Sequence, residues 1–214
     1  MVQLPFVPDN HDSRIRYCEL HLHRERLDDL PVYPLPDGYR FVMYRPGDRE
    51  WWIAIEHSAK ELGSKEQGLA VWDSYFSWNE AELPERMVFI ENEQGEKVAT
   101  ATAYFDIHRQ DQSGAGWLHW VAVRREDQGR GLARPLISYT LRLLHRLGYD
   151  RAKLHTQTTT WVACRLYLDF GFVPTPGNAA HNREGWRIMR ALTDHPALQG
   201  FEPALAEEIL SGEA

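Results

Sequence analysis

The spacing of hydrophobic and polar positions changes part-way along the chain. Before residue 125, residues 38–45 (GYRFVMYR) alternate between apolar and polar positions, and residues 85–91, 96–107 and 117–124 are strand-like. These patterns predict four strands. Residues 92–95 (NEQG) separate the second and third of these segments and predict a hairpin turn. Two helices are predicted between the first strand and the hairpin, over residues 48–62 with Asp48 as N-cap, and over residues 66–82.

From residue 131 onward the spacing becomes helical. Apolar residues recur at intervals of three and four over residues 131–148, and Gly148 is placed to end this helix. A strand at 150–156, a helix at 159–170, a strand at 186–192 and a tail helix at 203–210 follow. The order β-α-α-β-β-β-α-β-α-β predicts an α/β (α+β) fold, with a mixed sheet and helices on both of its faces.

The regular pattern covers residues 38–192, which we predict to form the main domain. Residues 1–37 are rich in proline and acidic residues, with one candidate strand at 14–22, and are expected to form an N-terminal extension. Residues 193–214 are expected to form a C-terminal tail. The segment 108–116 (HRQDQSGAG) shows no periodicity and predicts a loop.

Charge and composition narrow the classes of function. The 214 residues carry a formal net charge of −7, which disfavours a phosphate-backbone binder and mildly favours a cationic substrate such as an amine. The N-terminus lacks the apolar core of a signal peptide, and no apolar run has the ~20 residues of a membrane span. The two cysteines indicate no disulfide framework. We therefore expect a cytoplasmic protein that binds neither nucleic acid nor membrane.

The ten histidines raise the question of a metal site. They fall into no HExxH pattern, and the chain has no CxxC pair. The sequence therefore predicts no metal.

An anion-binding loop is predicted where the 117–124 strand leads into the 131–148 helix. Gly129 and Gly131 relax the limits on the backbone there, and the first amides of the helix lack partners within the helix. A phosphate accepts such amides, and Arg130 and Arg134 are placed to add ionic contacts. An ordinary tight turn remains the alternative for a glycine pair taken alone.

Two motifs carry a resemblance to a known family. The first resembles the Q/R-x-x-G-x-G/A signature of the GNAT acetyltransferase superfamily and consists of Gln128, Gly129, Arg130, Gly131, Leu132 and Ala133. The second is similar to that family's A-x-x-L-Y-x-x-x-G-F ending and consists of Ala163, Leu166, Tyr167, Gly171 and Phe172. The resemblance covers about residues 38–192.

This resemblance implies a fold and a co-substrate. It implies a twisted, mostly antiparallel sheet in which the parallel strands 117–124 and 150–156 splay around acetyl-CoA. The backbone of Val121, Ala122 and Val123 would bond the pantetheine arm, and the loop through Arg134 would hold the pyrophosphate. Thr160 stands where the family often has an asparagine that touches the cofactor, and its hydroxyl can still form a hydrogen bond.

The resemblance also suggests the groups that transfer protons. Tyr167 matches the family's tyrosine, whose phenol is suited to protonate the leaving thiolate. His119 and His155 both stand at positions where members carry a base. Simple alternation puts His119 on the same strand face as Val121 and Val123. A carboxylate reached through water remains open as the base, with the candidates Glu56, Glu61 and Asp106.

Other side chains leave further alternatives open. Cys164 as a covalent nucleophile is one, although it would need a partner histidine and access to substrate. The aromatic residues between positions 72 and 78 fall where the family roofs its acceptor site, and one or two facing the cleft would suit an apolar amine.

The predicted function is transfer of the acetyl group of acetyl-CoA to a primary amine by direct attack in a ternary complex. The alternative is a sensor or scaffold that binds acyl-CoA without turnover. A small-molecule amine or a peptide amine is expected as acceptor, and a homodimer is left open.

Overall fold

The computed structural model describes residues 2–105 and 114–211 of the chain. They divide into two compact units. The central unit is Glu25–Ala152, and the terminal unit combines Met1–Arg24 with Lys153–Ala214. The first 24 residues thus group with residues 153–214. The domain boundaries expected from the sequence stay a prediction.

Four strands of the central unit pair in the order β2-β3-β4-β5, and all three pairings are antiparallel. The hairpin turn predicted at residues 92–95 is confirmed. Gly95 there has a φ of +79°, and the Asn92 side-chain oxygen accepts the amides of Gln94 and Glu96 at 3.1 and 2.9 Å. The strands are β2 Tyr39–Met43, β3 Met87–Asn92, β4 Lys97–Tyr104 and β5 Gly116–Val123.

Helices cover both faces of these strands, so β4 is buried on both faces. On one face α1 and α2 pack against each other, and α1 packs on β4 and β5 around buried aromatic residues that include Trp52, Trp72 and Phe76. On the other face Leu132 and Leu136, at the start of α4, pack on small and branched side chains of β3 and β4. The helices are α1 Arg49–Ser58, α2 Lys65–Tyr75, α3 Leu83–Arg86 and α4 Ala133–Arg146, with 3₁₀ turns at Ser77–Glu82 and Arg125–Asp127.

The terminal unit contains the strand order β6-β1-β7. Strand β1 pairs with β7 in antiparallel fashion through Leu22 and Pro174. Its strands are β1 Glu19–Arg24, β6 Ala152–Gln157, whose first residue belongs to the central unit, and β7 Val173–Pro174. Its helices are α5 Trp161–Asp169, α6 Pro176–His181, α7 Arg183–Thr193 and α8 Ala206–Ile209, with 3₁₀ turns at Thr158–Thr160 and Pro196–Leu198.

The strand predicted at residues 186–192 is wrong, because these residues lie within helix α7. Ile188 and Met189 are both fully buried within this helix. The helix also approaches β1 closely at Gly185, where an added Cβ would lie 2.7 Å from the Cβ of Cys18. The short apolar run at residues 186–192 fits both the spacing of a strand and the spacing of a helix, and packing against β1 selects the helix.

Several element ends also differ from the predictions. Helix α1 ends at Ser58, before Leu62, and the second predicted helix is interrupted because Asn79 has non-helical dihedral angles. Asp48 occupies the N-cap position of α1 without capping it. Its carboxylate instead accepts the amide of Arg45 at 2.8 Å and the ammonium of Lys97 at 2.8 Å. The predicted loop at 108–116 lies mostly outside the described residues.

The seven strands and eight helices of the described residues confirm the predicted α/β class. The predicted splayed pair, 117–124 and 150–156, corresponds to β5 and β6. The splaying of these two strands around a cofactor involves both units and stays a prediction.

Candidate active site

A strand, a glycine loop and a helix follow one another in the central unit at the predicted anion site. Gly129 and Gly131 have φ values of +77° and +80°, a region that side chains with a Cβ rarely adopt. Among the described residues, a Cβ built on Gly129 meets no atom within 4 Å, and one built on Gly131 meets only Pro36, at 3.8 Å. The glycines are therefore required by the path of the backbone and leave its surface open to a ligand.

Helix α4 begins immediately after this loop, and its N-terminus lacks a cap. Leu132 occupies the N-cap position, its side chain forms no capping hydrogen bond, and the first turn contains no acidic residue. The positive end of the macrodipole of this 14-residue helix is therefore left without a countercharge in its own first turn. An anion such as a pyrophosphate suits this position.

Side chains from the loop hold it in shape. Asp127 is 2% exposed, accepts Nε of Arg124 at 2.7 Å, and lies 3.2 Å from Nη1 of Arg130. Nη1 of Arg130 also donates to the Tyr39 hydroxyl at 3.2 Å, and Nε2 of the Gln128 side chain donates to the carbonyl of Val123 at 3.1 Å. Arg130 and Gln128, predicted as cofactor contacts, thus also brace the loop.

A β-bulge interrupts β5 next to His119. The register pairs Thr102 with His119 and Thr100 with Ala122, so two residues of β5 oppose one residue of β4. Trp120, inside the bulge, has a φ of +48°. Because Thr100 and Thr102 share a face of β4, His119 shares its face with Ala122. The alternation that put His119 on the face of Val121 and Val123 is therefore wrong.

The backbone of Val123 is aimed away from β4. The Arg124 amide donates to the Val98 carbonyl at 2.8 Å, and Ala122 pairs with Thr100. Amides alternate in direction along a regular strand, so the amide of Val123, between these two residues, points to the opposite edge. This is the strand segment predicted to bond the pantetheine arm.

His119 is half-buried among aromatic rings of the central unit. Its ring centroid lies 5.2 Å from that of Tyr75, 5.5 Å from Tyr104 and 5.9 Å from Trp120. The Tyr104 hydroxyl donates to the Tyr75 carbonyl at 2.5 Å, and burial raises the pKa of Tyr75. Trp72 and Phe76, by contrast, are core residues, so Tyr75 is the aromatic residue of this stretch that reaches His119.

Buried polar atoms without hydrogen-bond partners collect on the same face of the central unit. Among the described residues, both carboxylate oxygens of Glu56, the indole nitrogens of Trp52 and Trp120, and the hydroxyls of Thr100 and Thr102 form no hydrogen bond. Burial, and secondarily the charge of Glu61, raises the pKa of Glu56 well above its usual range. Glu56 is one of the carboxylates left open as a base, whereas Asp106 lies outside the described residues.

The terminal unit contains the predicted acid and the Thr160 position. Tyr167 is 6% exposed, and its ring lies edge-on to Phe172 at 6.3 Å. The amide of Phe172 donates to the Tyr167 carbonyl at 3.1 Å, so the Gly171-Phe172 ending fixes the last turn of α5. The buried hydroxyl of Thr160 donates to the Gln157 carbonyl at 3.1 Å and lies 3.1 Å from that of Thr156.

His155 lies in the terminal unit beside two polar residues of β1. Its ring stacks on His21 with a centroid distance of 3.6 Å, and its Nδ1 lies 3.6 Å from the carboxylate of Glu19. Desolvation, with the neighbouring His21, lowers the pKa of His155 to about 4, although Glu19 opposes the shift. Sequence reasoning had singled out His155 but neither of its neighbours.

Cys164, the alternative nucleophile, is fully buried. Burial raises the pKa of its thiol far above the ordinary range. The thiolate needed for nucleophilic attack is therefore strongly disfavoured.

Comparison with known proteins adds to this geometry. The family model described as "Acetyltransferase (GNAT) family" matches residues 41–172, more than half of the chain. The chain belongs to the GNAT acetyltransferase family. This confirms the resemblance drawn from the two motifs and makes the chain a member of a family of acyltransferase enzymes.

Curated GNAT relatives include two mycothiol acetyltransferases. The protein of Streptomyces bingchenggensis is 29% identical over 145 residues, which are 67% of this chain and 46% of the relative. That of Catenulispora acidiphila is 28% identical over 158 residues, 72% of this chain and 50% of the relative. The chain thus spans about half the length of the curated relatives it matches.

Solved GNAT structures confirm the fold. A GCN5-related N-acetyltransferase from Sphaerobacter thermophilus has a TM-score of 0.58 and 24% identity, covering 76% of this chain and 50% of its own. A glucosamine N-acetyltransferase region of a fungal β-N-acetylglucosaminidase has a TM-score of 0.54 and 15% identity, covering 80% and 23%. Among the described residues of this GNAT chain, no helix combines the length and apolarity that crossing a membrane requires.

Proposed function

We propose that this GNAT chain transfers the acetyl group of acetyl-CoA to a primary amine by direct attack in a ternary complex. The observation that carries the proposal is the glycine loop in front of the uncapped N-terminus of α4. Backbone amides and a helix dipole form an anion site that suits the pyrophosphate of coenzyme A.

The edge of β5 supports the acyl end of the same co-substrate. The amide of Val123 points away from β4, a few residues before the loop. Backbone groups at this edge would bond the pantetheine arm, and the Val123 amide is suited to polarise the thioester carbonyl. A donor aimed at the developing oxyanion is a large source of rate acceleration in acyl transfer. In the terminal unit, the Thr160 hydroxyl is the further cofactor contact we propose.

His119 is the base we propose for the amine. It immediately precedes the bulge and lies two residues before Val121, on the strand that carries the thioester contacts. An imidazole accepts a proton at neutral pH and is well matched to base catalysis. His155 belongs to the other unit, and we propose that it affects binding of the acceptor more than the chemical step.

Tyr167 is the acid we propose for the departing thiolate. Its position in the family motif and its fixed place at the end of α5 support this role. A phenol keeps its proton at neutral pH and can release it to a stronger base such as a developing thiolate.

The aromatic group around His119 supports an acceptor with apolar surface. Tyr75 and Trp120 lie next to the proposed base, and their rings meet edge to face at 5.4 Å. Aromatic faces bind apolar groups and also attract cations. The net charge of −7 favours approach of an amine in its cationic form, which then loses its proton to the base.

A thiol-release assay tests the proposal. The protein is incubated with acetyl-CoA and a panel of acceptors, and free coenzyme A is separated by chromatography and measured against blanks that lack the acceptor or the protein. The panel begins with compounds of the mycothiol type, after the relatives' name, and continues with aromatic amines, amino acids and peptide N-termini. We expect acceptor-dependent thiol release and an acetylated amine by mass spectrometry. Binding of acetyl-CoA without release across the panel would favour the sensor alternative.

A further inference from the structure

Three side chains that can bind metal converge on one face of the terminal unit. Glu19 and His21 are two residues apart on β1, so they point to the same side of that strand. His155 lies on β6, the neighbouring strand in the sheet. Leu20 and Leu22 are buried on the opposite side of β1, which fixes the outward direction of the two polar residues.

The distances among these groups fit a single small cation. Nε2 of His21 lies 3.1 Å from a carboxylate oxygen of Glu19, and Nδ1 of His155 lies 3.6 Å from the same oxygen. All three ligand atoms lie within 4.8 Å of one another. Ligands at 2.0–2.1 Å from a tetrahedral metal are about 3.4 Å apart. Because the rings of His21 and His155 stack nearly parallel, at least one imidazole has to turn out of the stack about χ2, a soft torsion, to aim its nitrogen at a shared ion.

His21 supplies an independent sign of a missing partner. Its Nε2 is shielded from solvent and forms no hydrogen bond with any described residue. Glu19 lies close enough for an ion pair, but the orientation of the two groups does not satisfy hydrogen-bond geometry. A shielded nitrogen without a partner is costly, and a metal ion would satisfy it.

The backbone beneath the cluster is held in place by side-chain amides. Asn178 accepts the amide of His21 at 3.2 Å, and Asn182 donates to the carbonyl of Glu19 at 2.7 Å. Asn178 in turn accepts Nε1 of the buried Trp186 at 3.1 Å. Two of the three ligands therefore stand on a backbone fixed before any ion binds, which favours binding.

The donor set indicates the class of metal. Two imidazole nitrogens with one carboxylate oxygen suit Zn²⁺ and similar transition metals, whereas Mg²⁺ and Ca²⁺ prefer oxygen ligands alone. Three protein ligands leave a fourth position for water or a substrate atom. We propose that Glu19, His21 and His155 form a Zn²⁺-type site with one open coordination position. This proposal departs from the expectation of no metal, which considers only motifs local in sequence.

Metal titration of the intact, tag-free, chelator-treated chain tests the proposal. We expect one Zn²⁺ per chain by calorimetry, and Co²⁺ in its place to give the visible absorption of a four-coordinate ion. His21→Gln and Glu19→Gln should each weaken Zn²⁺ binding more than about a hundredfold, because loss of even an outer-shell partner costs 10–100-fold. His181→Gln, which removes an exposed histidine on α6, is the matched control and should bind normally.

Two results would overturn the site. One is the absence of stoichiometric Zn²⁺ binding to a chain that circular dichroism shows to be folded. The other is an affinity for Zn²⁺ that does not depend on this site. Binding that survives His21→Gln, or an affinity that falls equally in His181→Gln, would place the ion elsewhere. None of these readouts depends on acetyl transfer, so failure of the metal site and failure of the proposed function are distinguishable.

Discussion

Glu56 allows the electrostatics of the central unit to be tested without any ligand. It is fully buried on the face of α1 that packs toward β4 and β5, and neither carboxylate oxygen has a hydrogen-bond partner among the described residues. Burial raises its pKa well above the usual value. The change to examine is Glu56→Gln, which keeps the shape of the side chain and removes its titration.

The sign of the effect follows from proton binding. Below the ordinary glutamate pKa, both the folded and the unfolded chain hold this proton, so Glu56 has no pH-dependent effect. Above it, the unfolded chain releases the proton while the folded chain keeps it, so the unfolded state binds fewer protons and stability falls as pH rises. One proton corresponds to a slope of about 1.4 kcal/mol per pH unit, until the pH reaches the raised pKa.

Urea unfolding at pH 5, 6 and 7 measures this slope. The wild-type free energy of unfolding, minus that of Glu56→Gln, should fall by up to about 1.4 kcal/mol for each pH unit. Glu85→Gln, which removes an exposed carboxylate on α3, is the control and should follow the wild type. Parallel pH profiles for wild type and Glu56→Gln would refute the inference that this carboxyl is buried without a partner.

Four further substitutions test separate parts of the site. Gly131→Val should abolish the stabilisation by coenzyme A in a thermal-shift assay, because a side chain at φ +80° strains the loop and crowds the phosphates. Tyr167→Phe should lower kcat about a hundredfold or more while calorimetry shows coenzyme A still bound. His119→Gln should lower kcat/KM and flatten the acidic limb of its pH profile. Asp127→Asn should destabilise the chain to urea by about 1.5–3 kcal/mol, because it weakens charge-assisted bonds to the loop.

Elements with strong local signals could be predicted from the sequence. The hairpin turn depends on Asn92 and Gly95, whose side-chain bonds and positive φ act over four residues. The helix after the anion loop shows helical spacing over 14 residues, and Gly148 at its end adopts the left-handed conformation. These features need no information from distant parts of the chain, so the sequence alone indicates them.

The bulge at Trp120 could not be predicted in this way. Residues 117–123 of β5 are apolar at every position except His119, and tryptophan gives no sign of a positive φ. The bulge arises because β4 offers one residue between Thr100 and Thr102 where β5 supplies two. The bulge determines which residues share a strand face with His119. A site described from simple alternation along β5 therefore assigns His119 to the wrong face.

The polar cluster of the terminal unit was also beyond local patterns. A Glu and a His two residues apart, as at Glu19 and His21, are too common to indicate a metal site. His155 lies in a distant part of the sequence. They meet because β1 lies beside β6. A long-range contact also accompanies the helix at residues 183–193, since Gly185 lets α7 approach β1 closely.

Coenzyme A binding to two matched glycine variants tests the central claim most directly. Gly129 and Gly95 have φ values of +77° and +79°, and an added Cβ meets nothing within 4 Å at either position. Alanine should therefore cost each site a similar ~1–2 kcal/mol of backbone strain, but only Gly129 lies at the proposed pyrophosphate site. The account predicts wild-type affinity in Gly95→Ala and an affinity at least about tenfold weaker in Gly129→Ala, by calorimetry. Equal affinity in the two variants would contradict it.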